Sequence, residues 1–367
     1  TIDRIFEGTV KMFKNRQLIE VAGNCLRVRP KPLAEWLTEA WMDENESTFG
    51  EVYNEIINQE EGLSNRLSRA LDNRFAEMTK SNCAKQIFDQ YNNPVNGSFH
   101  DERVAFSKSG SRLFLSMGVV SPVMVAKNIE SLIYAKSIEW LRNSLDKDVR
   151  RNLIWAMENI VIDADAFESI AKSLGRLALA ENESISNNAT GQFLQLFHII
   201  LSGTRANLNA RMKIIEFFEA EGDCDELLIK AVDHALNGRG FMRSNTSRYK
   251  SVNNEPEDYY PYREEVYKYW MCCLDVLERI GKKSIENRDT VNEVLTKHVT
   301  DFQEIGFLSV FLDKLEGNLV HVVHGQVAQR CRDTNGVRGF CCIFLTHRCR
   351  AVNEELRMHL SFIGKQL

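Results

Sequence analysis

The sequence predicts a mainly all-α protein, an irregular α-solenoid with one small β-hairpin near its N-terminus. Six prolines and twenty glycines in 367 residues are few enough to permit long helices. Between residues 152 and 201, apolar residues recur three times in succession at helical spacing. Three helices with one apolar face each must bury those faces against other helices. We therefore expect stacked helical layers.

Length and charge restrict the architecture and the partners. Because a single core stops growing at about 250–300 residues, we expect either two domains or an elongated stack that adds core by repetition. The chain has 46 basic and 51 acidic residues and a net charge of −5, which excludes a protein whose whole surface is built to coat nucleic acid. Local basic patches are compatible with this balance.

The cysteines and the ends of the chain suggest a location. Nine scattered cysteines form no even framework, which favours a reducing compartment. The sequence shows no signal peptide and no long apolar segment, so we expect a cytoplasmic protein without a membrane partner. Since the chain begins at Thr1 rather than at a methionine, we also expect it to be a piece of a larger protein.

The first predicted segment, residues 1–45, contains a helix, a hairpin and a second helix. Residues 3–14 have helical spacing, and alternating apolar residues flank the turn pair Gly23–Asn24. Pro30 then ends the second strand, and Pro32 suits the first turn of the following helix. This order resembles the end of a winged-helix domain.

The predicted hairpin carries basic residues at its base. Residues suited to phosphate contacts are Arg16, Arg27, Arg29 and Lys31. The alternative is that this segment packs against neighbouring domains, and its seven basic and seven acidic residues leave it locally neutral.

Two helical segments follow, the first helical layers at 46–150 and a helical-repeat domain at 151–316. The expected helices lie around 52–57, 63–75, 84–91, 129–141, 153–161, 167–178, 193–201, 228–236, 266–280 and 291–302. We expect Asp165 and Asp223 to cap the helices that follow them, and Gly203 to end the helix before it. A helical pair spans about 40 residues, near the period of HEAT and armadillo repeats. Residues 317–367 receive no structural prediction.

Two polar regions are candidates for binding. Residues 181–188 are rich in Glu and Asn, and capping of adjacent helix ends is favoured there over ligand contact. A long loop near residues 237–262 combines cations with tyrosines, which suits recognition of a protein partner better than of nucleic acid. Its candidate residues are Arg239, Arg243, Arg248, Lys250, Tyr259, Tyr260 and Tyr262. The alternative is that this loop is a solvated surface segment without a binding role.

Motifs for catalysis and metal binding are incomplete. Ser169 and Lys172 have Ser-x-x-Lys spacing but lack the accompanying elements of such hydrolases. The segment 281–284 is no phosphate-binding P-loop, because the earlier glycine is absent. The Cys and His residues between 321 and 349 contain no Cys-x-x-Cys pair. We therefore predict no cofactor, no metal and no enzymatic activity, with a hydrolase as the third hypothesis.

Three segments carry a resemblance, namely residues 27–36, 177–191 and 201–204. Together they resemble the part that follows the nucleotide-binding module in bacterial STAND-type, NACHT-like P-loop ATPases, over about residues 15–310. The resemblance implies helical repeats that sense a ligand for an ATPase module that this chain lacks. The predicted function is a non-catalytic scaffold that recognises a ligand or a protein. The alternative is a winged-helix DNA-binding regulator with a helical dimerisation domain, and the oligomeric state is left open.

Overall fold

The structure is a computed structural model that describes most of the chain. The described residues are 2–22, 25–45, 61–79, 81–185, 187–199, 202–238 and 259–307, with positions 48, 50–52, 55 and 311. In these residues every regular element is helical except for one two-stranded antiparallel hairpin. The predicted all-α class with a small N-terminal β-hairpin is therefore confirmed.

The chain divides into two compact units. Among the described residues, the first unit contains those up to Phe193 together with Gly203–Ala206, and the second contains 194–199, 202, 207–238 and 259 onwards. The segment boundaries expected at 45, 150 and 316 stay predictions, and the segment 317–367 lies outside the described residues.

The N-terminal elements follow the predicted order of helix, hairpin and helix. They are α1 (Ile2–Asn15), β1 (Ile19–Ala22), β2 (Cys25–Val28) and α2 (Lys31–Glu44). In the hairpin register Ile19 lies opposite Val28 and Glu20 opposite Arg27. Pro30 precedes α2 in an extended conformation, so it ends the strand and leads into the helix. The residues of the expected turn, 23 and 24, lie outside the described part.

The rest of the first unit is a stack of helices. These are α3 (Glu61–Phe75), α4 (Asn82–Tyr91), α5 (Glu102–Ala105), α6 (Lys108–Val120), α7 (Pro122–Tyr134), α8 (Ile138–Asn143), α9 (Lys147–Ile160) and α10 (Phe167–Leu179). Helix α11 (Ala189–Gln195) follows where the two units meet along the chain. Helix α6 packs against α3 on one side and α9 on another, and α10 packs against α7. Helix α6 is therefore the centre of this unit.

Small residues allow the close packing of α6. A Cβ atom on Gly118 would lie 2.4 Å from the Cδ1 atom of Ile160, so the glycine lets α6 and α9 approach each other. The hydroxyls of Ser64 and Ser109 share a hydrogen bond of 2.7 Å between α3 and α6. Because both hydroxyls are buried, this bond satisfies groups that would otherwise be costly to bury.

The second unit contains four long helices in its described part. They are α12 (Leu208–Glu221), α13 (Asp225–Ala235), α14 (Arg263–Gly281) and α15 (Ile285–Ile305). Helix α14 packs against the other three, and its Trp270 is fully buried and donates a hydrogen bond of 2.9 Å to the carbonyl of Ala235. None of the helices in the described ranges has the length and apolar character needed to cross a bilayer.

Two expected helices have different limits. The spacing across 129–141 predicts one helix, but the chain breaks at residues 135–137, where the Ser137 side chain accepts a hydrogen bond from the amide of Trp140 and caps α8. The helix expected over 193–201 ends at Gln195, although the apolar residues continue to Ile199. The non-helical chain after α11 is also buried and therefore also apolar. The spacing of apolar residues alone could not show where this helix ends.

The two expected aspartate caps are wrong. Helix α10 has no side-chain cap, and Asp163 rather than Asp165 accepts hydrogen bonds in the turn before it, from the amides of residues 165 and 166. Helix α13 also has no side-chain cap, because Asp223 adopts a φ of 51° and turns the chain. Aspartate tolerates this left-handed region better than most residues. Asp223 therefore forms the turn before α13 and does not cap the helix.

One buried arginine joins three helices of the first unit. Arg150, on α9, has 1% of its surface exposed. Its guanidinium donates hydrogen bonds to the carbonyls of Leu141 (2.6 Å), Ala180 (3.0 Å) and Leu177 (3.4 Å). Carbonyls at a helix C-terminus have no partner within their own helix, so Arg150 satisfies groups of α8 and α10 that would otherwise be buried without one. The Glu181 carboxylate lies 3.8 Å away.

Replacing Arg150 by Met should lower the free energy of unfolding by at least about 3 kcal/mol, because several buried carbonyls lose a charged donor. The measurement is the urea midpoint followed by circular dichroism. The matched control is Arg103→Met, at an arginine of the same unit whose side chain is 90% exposed and lies 2.6 Å from Asp101. We expect the control to leave the urea midpoint nearly unchanged. Equal losses in the two variants would contradict the assigned role of Arg150.

Candidate functional site

The hairpin, the start of α2 and the end of α3 enclose a cavity of about 350 Å³, which we call the basic groove. Its lining residues are Arg27, Val28, Arg29, Lys31, Asn73, Arg74, Ala76 and Glu77. This volume is near the lower end of the range of about 300–1,000 Å³ found for small-molecule sites. Four of the eight lining residues are cations, so the groove suits an anionic ligand.

Local structure brings the first three cations together. Arg27 and Arg29 are two residues apart on an extended chain, so they point to the same side. The amide of Arg29 donates to the carbonyl of Leu18 at 2.9 Å, which continues the ladder beyond β2. Pro30 then ends the strand, and Lys31 begins α2. The fourth cation, Arg74, lies in the last turn of α3.

Two carboxylates hold these cations in place. Glu20, opposite Arg27 in the hairpin, accepts a hydrogen bond of 2.7 Å from the Nε atom of Arg29 and lies 3.7 Å from Arg27. One carboxylate oxygen of Glu77 lies 2.8 Å from the Nζ atom of Lys31, and the other lies 2.9 Å from the Nη1 atom of Arg74. Glu35 approaches Lys31 at 3.8 Å. With four cations and these three carboxylates, the cluster keeps a positive charge.

Three of the four cations of the groove remain accessible. The side chains of Arg27, Arg29 and Lys31 are 73%, 66% and 60% exposed, whereas that of Arg74 is 25% exposed. The carboxylates of Glu20 and Glu77 are 31% and 19% exposed. The hydrogen bond that Lys31 donates to Glu77 raises the pKa of Lys31, so the amine is charged at neutral pH. Because exposed ion pairs contribute only about 0–1 kcal/mol each, an incoming anion can replace them at little cost.

The groove contains part of the predicted phosphate site. The structure brings Arg27, Arg29 and Lys31 together in it, whereas Arg16 is not among the lining residues and stands exposed beyond the end of α1. Arg74 and Glu77 were not predicted from the sequence as members of this site. Nothing near them in the sequence links them to the hairpin, and only the packing of the chain brings the end of α3 beside it.

The predicted partner-binding loop is described only at its end. Arg239, Arg243, Arg248 and Lys250 lie outside the described residues. The side chains of Tyr260 and Tyr262 are largely exposed, at 64% and 78%.

Tyr259 is half-buried at the start of α14. Its hydroxyl donates to the Oε1 atom of Glu265 at 2.6 Å, and its ring lies 5.8 Å from the guanidinium of Arg211. Burial, reinforced by the hydrogen bond to Glu265, raises the pKa of Tyr259 to about 12. The other oxygen of Glu265 accepts from the amide of Tyr262 at 2.8 Å. Glu265 therefore fixes this segment to the first turn of α14.

The polar segment at 181–188 caps helix ends, as the sequence suggests. Glu181 accepts from the amides of residues 182 and 183 with one oxygen and from the amide of Thr190 with the other. Asn188 accepts from the amide of Gly191 at 2.8 Å in the first turn of α11. The amide group of Asn182 donates to the carbonyl of Arg142. The carboxylate of Glu181 thus supplements the amide side chains in this role.

The second unit contains a cluster of titratable residues that sequence analysis did not identify. The imidazole of His298 is 1% exposed and bonds Asp301 and Asp233 at 2.7 Å each. Burial alone would raise the pKa of Asp233, but hydrogen bonds from His298 and Lys297 outweigh it and lower the pKa to about 2. Because these groups are already paired and His298 is buried, the cluster serves to connect α13 and α15.

Two further histidines form a pair beside that cluster. The Nδ1 atom of His234 and the Nε2 atom of His198 are 3.1 Å apart, so one nitrogen donates and the other must accept. Burial lowers the pKa of His198 to about 4, with contributions from His234 and Arg211, and burial also lowers the pKa of His234. The accepting ring must be neutral for this hydrogen bond to exist.

The remaining motifs show no catalytic arrangement. Lys172 lies 2.6 Å from Glu168 and 3.9 Å from Glu130, and an ion-paired ammonium is a poor base for Ser169. The Cys and His residues between 321 and 349 lie outside the described part. Within the described part no group of three or more His, Cys, Asp or Glu residues is placed to hold a metal ion.

Comparison with known protein families, with curated proteins and with solved structures finds no match for this chain.

The histidine pair predicts a loss of stability in acid. Below an ordinary histidine pKa of about 6.5 the unfolded chain takes up protons that the folded chain refuses until pH about 4. The free energy of unfolding should therefore be highest above pH about 6.5 and fall towards pH 4, by up to roughly 1.4 kcal/mol per pH unit for His198, and the lowered pKa of His234 adds to the fall in the same direction. Charges nearby are Arg211, Asp233, Lys297 and His298.

Urea midpoints across this pH range test that prediction. Because carboxylates also contribute in acid, the comparison is between the wild-type protein and His198→Gln, whose amide keeps a hydrogen-bonding partner for His234 without titrating. The variant should show a shallower pH dependence. An identical slope in both proteins would show that the histidine pair does not govern acid stability.

Proposed function

We propose that this protein is a non-catalytic recognition scaffold that binds an anionic ligand in the basic groove. The observation that carries this proposal is the convergence of Arg27, Arg29, Lys31 and Arg74 on one cavity of small-molecule size. Guanidinium groups offer several donors in a fixed plane and bind carboxylates and phosphates in bidentate fashion. Exposed cations that are only partly compensated are also the ordinary basis for attracting anions from solution.

The chemistry of the groove supports binding rather than catalysis. Among its lining residues, Glu77 is the sole carboxylate, and both of its oxygens are engaged by cations. With both of its oxygens bonded to cations, this carboxylate offers no free acceptor for a proton of the ligand, and arginines stay protonated at all physiological pH values. Cations without an available base or nucleophile bind anions but do not transform them.

We place this scaffold in the sensor part of a STAND-like signalling or defence ATPase in the cytoplasm. This step rests on the resemblance of residues 27–36, 177–191 and 201–204 to such proteins. The order of a hairpin element followed by helical layers is the order that the resemblance implies. In this proposal a ligand or a protein partner binds the scaffold, and an ATPase module responds.

A winged-helix DNA-binding regulator is the second candidate, favoured by the exposure of Arg16, Arg27 and Arg29. The equal number of acidic and basic residues over positions 1–45 weakens this candidate. DNA binding through these arginines would weaken steeply with added salt, whereas a single small anion would show a shallow dependence.

Replacing Arg27 and Arg29 together by Ala should weaken binding of small anions at least about tenfold, because two of four cations are lost. The measurement is isothermal titration of the full chain with inorganic phosphate, pyrophosphate and citrate at low salt. The matched control is Arg66→Ala with Arg69→Ala, which removes two exposed cations from α3 that do not line the groove.

The outcomes of this titration distinguish the anion-binding scaffold from the DNA-binding regulator. We expect the control variant to bind as the wild type does and the groove variant to lose binding. Binding of a short DNA duplex that is steeply dependent on salt, without small-anion binding, would support the regulator instead. No binding of any of these probes by the wild type or by Glu77→Gln would remove the proposal of an anion-binding groove.

A further inference from the structure

Glu77 joins the two sides of the basic groove. One of its oxygens receives the Nζ atom of Lys31, at the start of α2, and the other receives the Nη1 atom of Arg74, in the last turn of α3. A two-oxygen anion thus already spans the space between these cations. The carboxylate belongs to the chain itself, and its side chain is 19% exposed.

We infer that the groove is a site for a compact phosphate-bearing ligand, such as a phosphate monoester, and that Glu77 is an internal competitor which the ligand displaces. The inference rests on the proposed function and deepens it. It names the class of ligand and the residue that sets the affinity.

The charges explain why phosphate suits the site better than a carboxylate. A phosphate monoester carries about −1.5 to −2 charges at neutral pH and presents three acceptor oxygens. A carboxylate carries one charge and two oxygens. Once Glu77 has moved away, a phosphate has acceptors for Lys31, for Arg74 and for one hairpin arginine at the same time, whereas Glu77 contacts only the first two.

The size of the site argues for a small ligand. A cavity of about 350 Å³ accommodates a phosphate with a modest organic group. A nucleic-acid duplex needs an extended positive surface that follows many phosphates. The cations of the groove instead surround one cavity, which is the arrangement that a single phosphate group requires.

A purely structural role is a poor explanation for the contact between Glu77 and Lys31. Lys31 is 60% exposed, and an ion pair of so exposed a side chain adds little to stability, whereas Arg74 is 25% exposed and its pair with Glu77 is better shielded. The same carboxylate, tethered beside the cations, competes with a soluble anion at a high effective concentration. Removing its charge should therefore alter ligand affinity far more than it alters folding.

The test compares Glu77→Gln, which keeps the shape of the side chain and removes its charge, with the wild-type full chain. Isothermal titration uses inorganic phosphate, phenyl phosphate and acetate as probes. We expect Glu77→Gln to bind both phosphates about fivefold or more tightly, since one negative charge near the site is lost. Lys31→Ala should weaken phosphate binding by a similar factor, and acetate should bind more weakly than phosphate in every variant.

The matched control is Glu168→Gln in the same unit. Glu168 is an exposed carboxylate that pairs with Lys172 at 2.6 Å away from the groove, so the same charge change there should leave phosphate affinity unchanged. A melting curve for each variant verifies folding. If Glu77→Gln does not fold, Glu77→Asp replaces it, because its shorter arm cannot span both cations and should give a smaller gain.

Failure of the inference differs from failure of the proposed function. Unchanged phosphate affinity in Glu77→Gln, together with lost anion binding in Arg27→Ala with Arg29→Ala, would overturn the role of Glu77 and leave the anion site standing. Acetate binding as tight as phosphate binding in Glu77→Gln would overturn the ligand class. The absence of any anion binding in all variants would overturn both proposals.

Discussion

The packing of the first unit depends on a buried guanidinium. Arg150 reaches from α9 to carbonyls near the ends of α8 and α10, and burial lowers its pKa against the opposing effect of Glu181 and Glu183. Stacked helices bury their ends against one another, and every buried carbonyl needs a donor. The planar guanidinium of one arginine supplies several donors at a fixed geometry. Several flexible side chains would be needed to supply the same donors, and ordering them would cost more conformational entropy.

The second unit also contains a buried arginine that bonds a backbone carbonyl. Arg211, on α12, is fully buried, donates to the carbonyl of His198 and lies over the ring of Tyr259. The neighbouring histidines and the pair of aspartates around His298 complete a buried polar network. Buried networks of this kind favour one packing over its alternatives, because any other arrangement leaves charged groups without partners.

Two sets of charges in the described residues therefore differ in role. The buried arginines Arg150 and Arg211 bond backbone carbonyls and hold helices together, whereas Arg27, Arg29 and Lys31 of the basic groove are exposed. A scaffold that recognises anions needs both, since the buried group supplies rigidity and the exposed group supplies binding energy. Glu20 and Glu77 keep the groove cations ordered before a ligand arrives, and this order reduces the entropic cost of binding.

The sequence by itself determined the all-α class, the N-terminal hairpin and the helices whose apolar residues keep a regular period, such as α10 and α14. It did not predict α6, the most buried helix, because small residues such as Gly118 and Ser109 interrupt its apolar pattern, or α12, whose apolar pattern Arg211 interrupts. Arg27, Arg29 and Lys31 were identifiable from their spacing. Only the tertiary structure placed Arg74 and Glu77 beside them, because a groove forms between segments that are distant along the chain.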